Sequence, residues 1–356
     1  MIAIKKRSPV LLSFVIFSVS PLLMAAPNIS SVVRISGTPD RLVISGSNFT
    51  DKSVASPLFH FDFENDAVSQ TDYSTSTKEI RTNGTLTSET SPTNEGYVLR
   101  YRVVDDYRAI AIPKLEMTPP PDRLYVYFHR RYNFSIDDPE TWGPRGLNLK
   151  VNRFWGQDGN NIYIGYQGTE GTRSGRIFAE YTASGGATWT GSNLPQVKDT
   201  WNQNEIIYQA SDIDRENGRF DVIRNGNVAS STPHRMRTSS RPSKYSEFYF
   251  DQISNGVNDS KNLYIYYDNI YIDNAFNRVF LSNSDNLSDA KDKLIQVPTV
   301  WRNDKIEVIL NTGNFKENEA FIYIVDANGI ANEKGFKICD KDCPVPPSPP
   351  ESIRAD

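Results

Sequence analysis

The chain has 356 residues, a formal net charge of −4 and 12% aromatic residues, with 18 tyrosines and 18 phenylalanines. So small a charge creates no field that would draw the molecule to nucleic acid, which excludes that class of partner. Apolar residues at helical spacing are scarce, so an all-β protein is expected. His60, His129 and His234 are far apart and the two cysteines have no histidine near them, which speaks against a zinc site. Neither a Gly-x-Ser-x-Gly elbow nor a phosphate loop is present.

In chain order, a basic start (Lys5, Lys6, Arg7), an apolar run from Val10 to Leu23 and small residues at Ala25 and Ala26 predict a secretory signal over 1–25. The run is too short and wrongly flanked for a lasting membrane span, so the expectation is a secreted, periplasmic or cell-surface protein. Alternating segments then predict strands at Leu124 to Tyr132, Leu147 to Asn152, Asn161 to Tyr166, Ile177 to Tyr181, Glu205 to Ala210, Arg219 to Arg224, Tyr245 to Ile253 and Tyr264 to Asp273. Gln157-Asp158-Gly159-Asn160, Ser184-Gly185-Gly186, Asn217-Gly218 and Asn225-Gly226 supply turn residues that accept positive φ cheaply. Many strands with short turns indicate an antiparallel sandwich or jelly roll. At the far end, Cys339 and Cys343 in CDKDC suit a local disulfide in an oxidising compartment, and 339–356 reads as a Pro-rich tail.

Two resemblances organise the chain. The segment PNISSVVRISGTPDRLVISGSNFT (27–50) resembles the opening strands of an IPT/TIG immunoglobulin-like domain, and RVFLSNSDN, VPTVWRNDKIEVILNTG and AFIYIVDANGIANEKGF (278–336) resemble its second half. This implies a discontinuous TIG-like domain from 26–57 plus 276–338, with the middle inserted and able to fold on its own. That middle, 58–275, is similar to the concanavalin A-like lectin/glucanase superfamily in FHFDFEN (59–65), DTWNQNEIIYQASDIDRENGRFDVIRNGN (199–227) and YIYYDNIYIDN (264–274). The implied fold is a jelly-roll sandwich plus a small immunoglobulin-like β-sandwich.

Such jelly rolls hold extended sugar chains in a groove on a concave sheet. The alternate face of the 124–132 strand, Tyr125, Tyr127, His129 and Arg131, is a candidate for that groove, with Asn148, Lys150 and Asn152 on a second strand and Arg100 on a third. Tyr163 and Trp155 are further candidates, Trp155 as a sugar platform beside Trp142. Aromatic faces stack on sugar rings, amides bond hydroxyls, and arginine forks pair carboxylates, so an acidic polysaccharide is the expected partner. Trp201 and Trp301 read as core. No cofactor is required. The resemblance does imply a structural calcium, for which Asp62 and Glu64 near the start and Asp268 or Asp273 near the end could supply oxygens.

Three functions remain open. The first is exported carbohydrate binding. The second is β-elimination on a uronate polymer, with His129 as base, Arg131, Arg100 or Lys150 neutralising the carboxylate, Asn148 as second donor and Tyr127 or Tyr163 as acid. Neither the Gln-x-His nor the Arg-x-Glu strand of the superfamily's lyases is found. The third is a surface structural protein that takes a protein partner through the TIG-like part. Glycoside hydrolysis fits less well, because FDFEN (61–65) and Asp212-x-Asp214-x-Glu216 lack the carboxylate spacing of the superfamily's glucanases.

Overall fold

The structure, a computed structural model, describes residues 25–63, 78–80, 84–88, 91–93, 96–103, 113–136, 138–141, 147–168, 177–181, 188–192 and 197–338. Residues 1–24 of the expected signal, Glu64, Trp142, Cys339, Cys343 and the Pro-rich stretch after them lie outside these. The protein is all-β, and its described strands pair antiparallel in three sheets. No helix among the described residues is long and apolar enough to cross a membrane.

Two sheets face each other as a jelly-roll sandwich. One, here the junction sheet, runs in the order Asn227–His234, Gly218–Arg224, Asn202–Gln209, Arg123–Tyr132, Tyr264–Asp273, Tyr97–Arg102 and Gly84–Ser88, with Phe59–Phe61 also paired to Tyr264–Asp273. The other, the open sheet, runs Thr188–Ser192, Ile177–Tyr181, Asn161–Gly168, Leu147–Gly156, Tyr245–Asn255, Pro113–Glu116 and Lys78–Ile80. Between them lies one core. Leu124, Val126 and Phe128 enter it from the junction sheet, and Leu149, Val151, Phe154, Ile162, Ile164, Phe248 and Phe250 from the open sheet. Phe154 packs tilted on Phe248 of its own sheet at 4.7 Å and edge-on against Phe220 of the facing sheet at 5.5 Å, so a ring contact as well as buried area joins the two sheets.

Turn chemistry acts where the sequence marks it. Asn225 (φ 46°) and Gly226 (φ 67°) close the hairpin between Gly218–Arg224 and Asn227–His234 in two residues, a connection that needs positive φ at both. Gly159 (φ 78°) turns Leu147–Gly156 into Asn161–Gly168. Leu147–Gly156 also contains a bulge. Lys150 pairs with Gly165 and Asn152 with Ile164, so Val151 is left as the extra residue. An extra residue resets the alternation, and beyond it Asn152 points inward while Arg153 and Trp155 point out.

The third sheet joins the two ends of the described chain in the order Asn28–Ile35, Arg41–Ser47, Lys305–Ile309, Lys293–Trp301, Arg278–Ser282, Phe321–Val325 and Phe336–Lys337. Leu42 pairs with Val308 and Ile44 with Ile306. It curls around its own core of Val32, Leu42, Ile44, Phe49, Val279, Leu281, Trp301, Ile306, Val308, Ile322 and Ile324. Trp301, read as core, is there, and its indole N–H donates to the Thr50 carbonyl at 2.8 Å.

This end sheet packs on the outer face of the junction sheet. The seam is a separate cluster of Tyr125, Tyr127, Ile207, Tyr271, Phe276 and Ile295. It is tied by polar contacts: Tyr127 donates to the Lys293 carbonyl at 2.6 Å, the Lys293 amide donates to Gln203 Oε1 at 2.7 Å, and a buried Lys52 ion-pairs with Asp273.

Candidate functional site

The residues singled out from the sequence fall on two different sheets, so they cannot form one cleft. Arg100, Tyr125, Tyr127, His129 and Arg131 stand on the outer face of the junction sheet, while Lys150, Trp155 and Tyr163 stand on the outer face of the open sheet.

On the junction sheet the expected groove is largely seam. Tyr125 and Tyr127 are buried under the end sheet, with Tyr125 donating to Glu205 at 2.9 Å. Burial raises both phenols well above their usual pKa, so neither serves as an acid–base group or a sugar platform there. Glu205 is fully buried, which alone would raise its pKa. The Lys293 ammonium at 2.9 Å and Arg278 outweigh that burial and hold the carboxylate below its usual range. His129 is 7% exposed and its Nε2 lies 3.3 Å from the Tyr127 hydroxyl. Burial pushes the imidazole down to about 3, and its place on the seam separates it from Lys150. Arg131 stacks on Tyr266 (4.1 Å) and Trp201 (5.4 Å), and Arg100 on Tyr264 (4.9 Å). Trp201 is therefore half-buried beside Arg131 and not in the core, a correction to the sequence reading.

Opposite His129 in the strand pairing stands Asp268, also buried. Its Oδ2 accepts from Ser91 and from Thr93 at 3.1 Å, and its Oδ1 accepts the Asn269 amide at 2.7 Å. Burial nonetheless raises it to about 7. Both oxygens of Asp268, which the resemblance implies as a calcium ligand, accept hydrogen bonds from the protein's own groups. Among the described residues no three His, Cys, Asp or Glu groups are placed to hold a metal ion.

On the open sheet the outward residues make a compact basic and aromatic field. Arg153 lies between Tyr163 and Tyr249 in register across three strands. Its guanidinium sits 3.9 Å over the Trp155 ring, and the Lys150 ammonium sits 4.0 Å over the ring of Tyr163. Burial lowers Arg153 to about 10, against the raising influence of Tyr249. Tyr249 donates in turn to the Glu247 carboxylate. Asn152, grouped with Lys150 by simple alternation, is 1% exposed and accepts from the buried Arg130 at 3.2 Å, because the bulge turns it into the core. The side chain of Asn148 lies outside the described residues. Arg153, Glu247 and Tyr249 were not singled out from the sequence. The available signal was the alternation of Arg153 and Trp155 about Phe154, and of Glu247 and Tyr249 about Phe248, counted beyond the bulge.

No protein-family profile and no curated protein matches the chain. Solved structures do. The marine alginate lyase from Aplysia kurodai is similar at 10% identity and a TM-score of 0.43, over 61% of this chain and 99% of that one. An endo-β-1,4-glucuronan lyase from the fungus Trichoderma reesei is similar at 12% and 0.43, over 62% and 97%. The alginate lyase vAL-1 from a Chlorella virus is similar at 12% and 0.41, over 61% and 99%.

Proposed function

We propose that this protein binds an acidic polysaccharide along the outer face of the open sheet. The carrying observation is the pair of cations held on aromatic rings, Lys150 on Tyr163 and Arg153 on Trp155, on the sheet face turned away from the core. The half-exposed Trp155 ring can present a flat surface to a sugar while the two charges attract carboxylates spaced along a chain. Affinity electrophoresis in gels containing alginate, glucuronan or pectate tests it. The wild type is retarded in at least one gel, and Lys150→Ala/Arg153→Ala runs as in a sugar-free gel with an unchanged melting temperature. Unretarded wild type in every gel removes the reading.

A second reading is β-elimination, supported by the tyrosine beside two cations. Tyr163, 7% exposed and with Lys150 beside it, would act as the base that removes the proton adjacent to the uronate carboxylate while Arg153 neutralises that carboxylate. The electron pair forms the new C=C bond as the C–O bond to the leaving sugar breaks, and the leaving oxygen takes a proton, returned by the same phenol. Here Tyr163 replaces His129, whose place on the seam of the other sheet removes it from the open face. Ultraviolet absorbance from unsaturated uronate ends, lost in Tyr163→Phe, is the expected signal. Binding without such absorbance leaves the protein a lectin.

For the remainder of the chain, the reading is an exported protein with a TIG-like unit formed from 26–57 and 276–338. Its support is the antiparallel pairing of Arg41–Ser47 with Lys305–Ile309 around a core of its own. Loss of the signal segment from protein recovered outside the cytoplasm, read by N-terminal sequencing, tests export.

A further inference from the structure

Where the end sheet meets the junction sheet, a cleft of about 270 Å³ opens beside the buried seam. Its lining includes His129, Trp201, Gln203 and Asn225 from the jelly roll and Asp292 and Lys293 from the end unit. This is a different face from the open sheet, and nothing in the proposed polysaccharide site uses it.

The hydrogen-bond roles in the wall can be assigned. The Tyr127 hydroxyl gives its proton to the Lys293 carbonyl at 2.6 Å, so toward His129 Nε2, 3.3 Å away, it can only accept. The proton of the neutral imidazole is therefore on Nε2, which leaves Nδ1 as a lone-pair acceptor. That Nδ1 is buried and has no hydrogen-bond partner. Gln203 is committed through both ends of its amide, to Glu205 at 3.0 Å and to the Lys293 amide. Asn225 is likewise committed, to the Gln203 amide at 2.8 Å and to Asn202 at 3.0 Å. The charge of Lys293 is matched by Glu205 at 2.9 Å, while Asp292 is exposed at the rim. The cleft thus offers the exposed Asp292 carboxylate as an acceptor at its rim, beside a half-exposed indole that carries Arg131 at 5.4 Å, with His129 Nδ1 buried in the wall behind.

We propose that this cleft binds a single neutral hexose unit, its ring on Trp201 and its hydroxyls donating to the Asp292 carboxylate at the rim. Sugar hydroxyls can donate to the Asp292 carboxylate, whereas a uronate would meet it with like charge. The volume falls just below the roughly 300 Å³ at which drug-sized ligands begin to fit, so one ring is accommodated and a chain segment is not. Because both bodies line the cleft, an occupant also bridges the seam.

Saturation-transfer NMR on the full chain, with methyl glycosides of glucose, galactose, mannose and N-acetylglucosamine at millimolar concentration, tests this. The expected result is transfer to ring protons of at least one glycoside, lost in Asp292→Ala and Trp201→Ala and retained in Lys150→Ala/Arg153→Ala. Asp292→Ala alters only an exposed side chain, so it decides the matter should Trp201→Ala fail to fold. No transfer to any of the four, or transfer that survives Asp292→Ala, overturns the proposal. Loss in the open-sheet double variant also overturns it, by placing the sugar on the other face. None of these outcomes depends on whether the open sheet binds a polymer.

Discussion

His129 and Asp268 face each other across two paired strands with opposite proton preferences, and their effects on stability should cancel. Unfolded, His129 takes up a proton below its ordinary value of 6.5, whereas burial keeps the folded imidazole neutral down to about 3. The unfolded state then binds the extra proton, so this residue's contribution is present above pH 6.5 and is lost as pH falls toward 3. Asp268 works the other way. Its folded value is raised to about 7 from 3.8, so between these limits the folded state holds the extra proton and stability from this group is lost as pH rises. Each residue alone changes stability by about 1.4 kcal/mol per pH unit, giving about 3 kcal/mol between pH 6.5 and pH 4. Asp268→Asn should therefore lose about 3 kcal/mol relative to wild type as pH falls across that interval, and His129→Gln should gain about as much. Urea denaturation of the three proteins at a series of pH values measures this, because the difference from wild type removes every group they share. Differences that do not change with pH, or that change with the same sign in both variants, would refute the assignment of protons to these two buried groups.

Two further outcomes concern the seam. Lys52→Met leaves the buried Asp273 carboxylate without its ammonium and should cost about 3–5 kcal/mol, much of it recovered in Lys52→Met/Asp273→Leu. A double-mutant cycle by chemical denaturation checks the recovery. Gly226→Ala forces a left-handed turn onto alanine and brings a Cβ to 2.7 Å from the Lys291 Cα, so a loss of about 1–3 kcal/mol is expected from the same measurement.

Much of the sandwich is legible in the sequence because alternation and turn residues agree. Tyr264–Asp273 and Ile177–Tyr181 have the limits their patterns imply, and the Asn225-Gly226 turn closes its hairpin. What alternation does not carry is what covers a face. Tyr125 and Tyr127 have the periodicity of a solvated strand face, yet tyrosine has an apolar body and a polar tip, and here the tips bond Glu205 and the Lys293 carbonyl inside a contact. A seam of hydrogen-bonded tyrosines and a sugar-binding face look alike in one dimension. Asn152 eludes the pattern for a different reason. A bulge at Val151 carries no glycine or proline to announce it, and a shift of one residue exchanges the two faces.

The same seam limits how independent the middle of the chain can be. Its main core uses none of Tyr125, Tyr127, Ile207 or Tyr271, so residues 58–275 made alone should keep the jelly-roll sandwich. Without the end unit, however, those four side chains form one exposed apolar patch, stripped of Phe276 and Ile295. Glu205 loses Lys293 and Arg278, and Asp273 loses Lys52, but both carboxylates regain water, so the electrostatic loss is small beside the newly exposed surface. A contiguous aromatic patch on a small domain favours self-association. The isolated middle is therefore expected to melt cooperatively, to bind more hydrophobic dye than the whole chain, and to sediment as dimers or larger species as its concentration rises. A monomer at all concentrations, with dye binding no greater than that of the whole chain, would show that the tyrosine face is as comfortable in water as under the end sheet, and the seam would then be a contact of convenience.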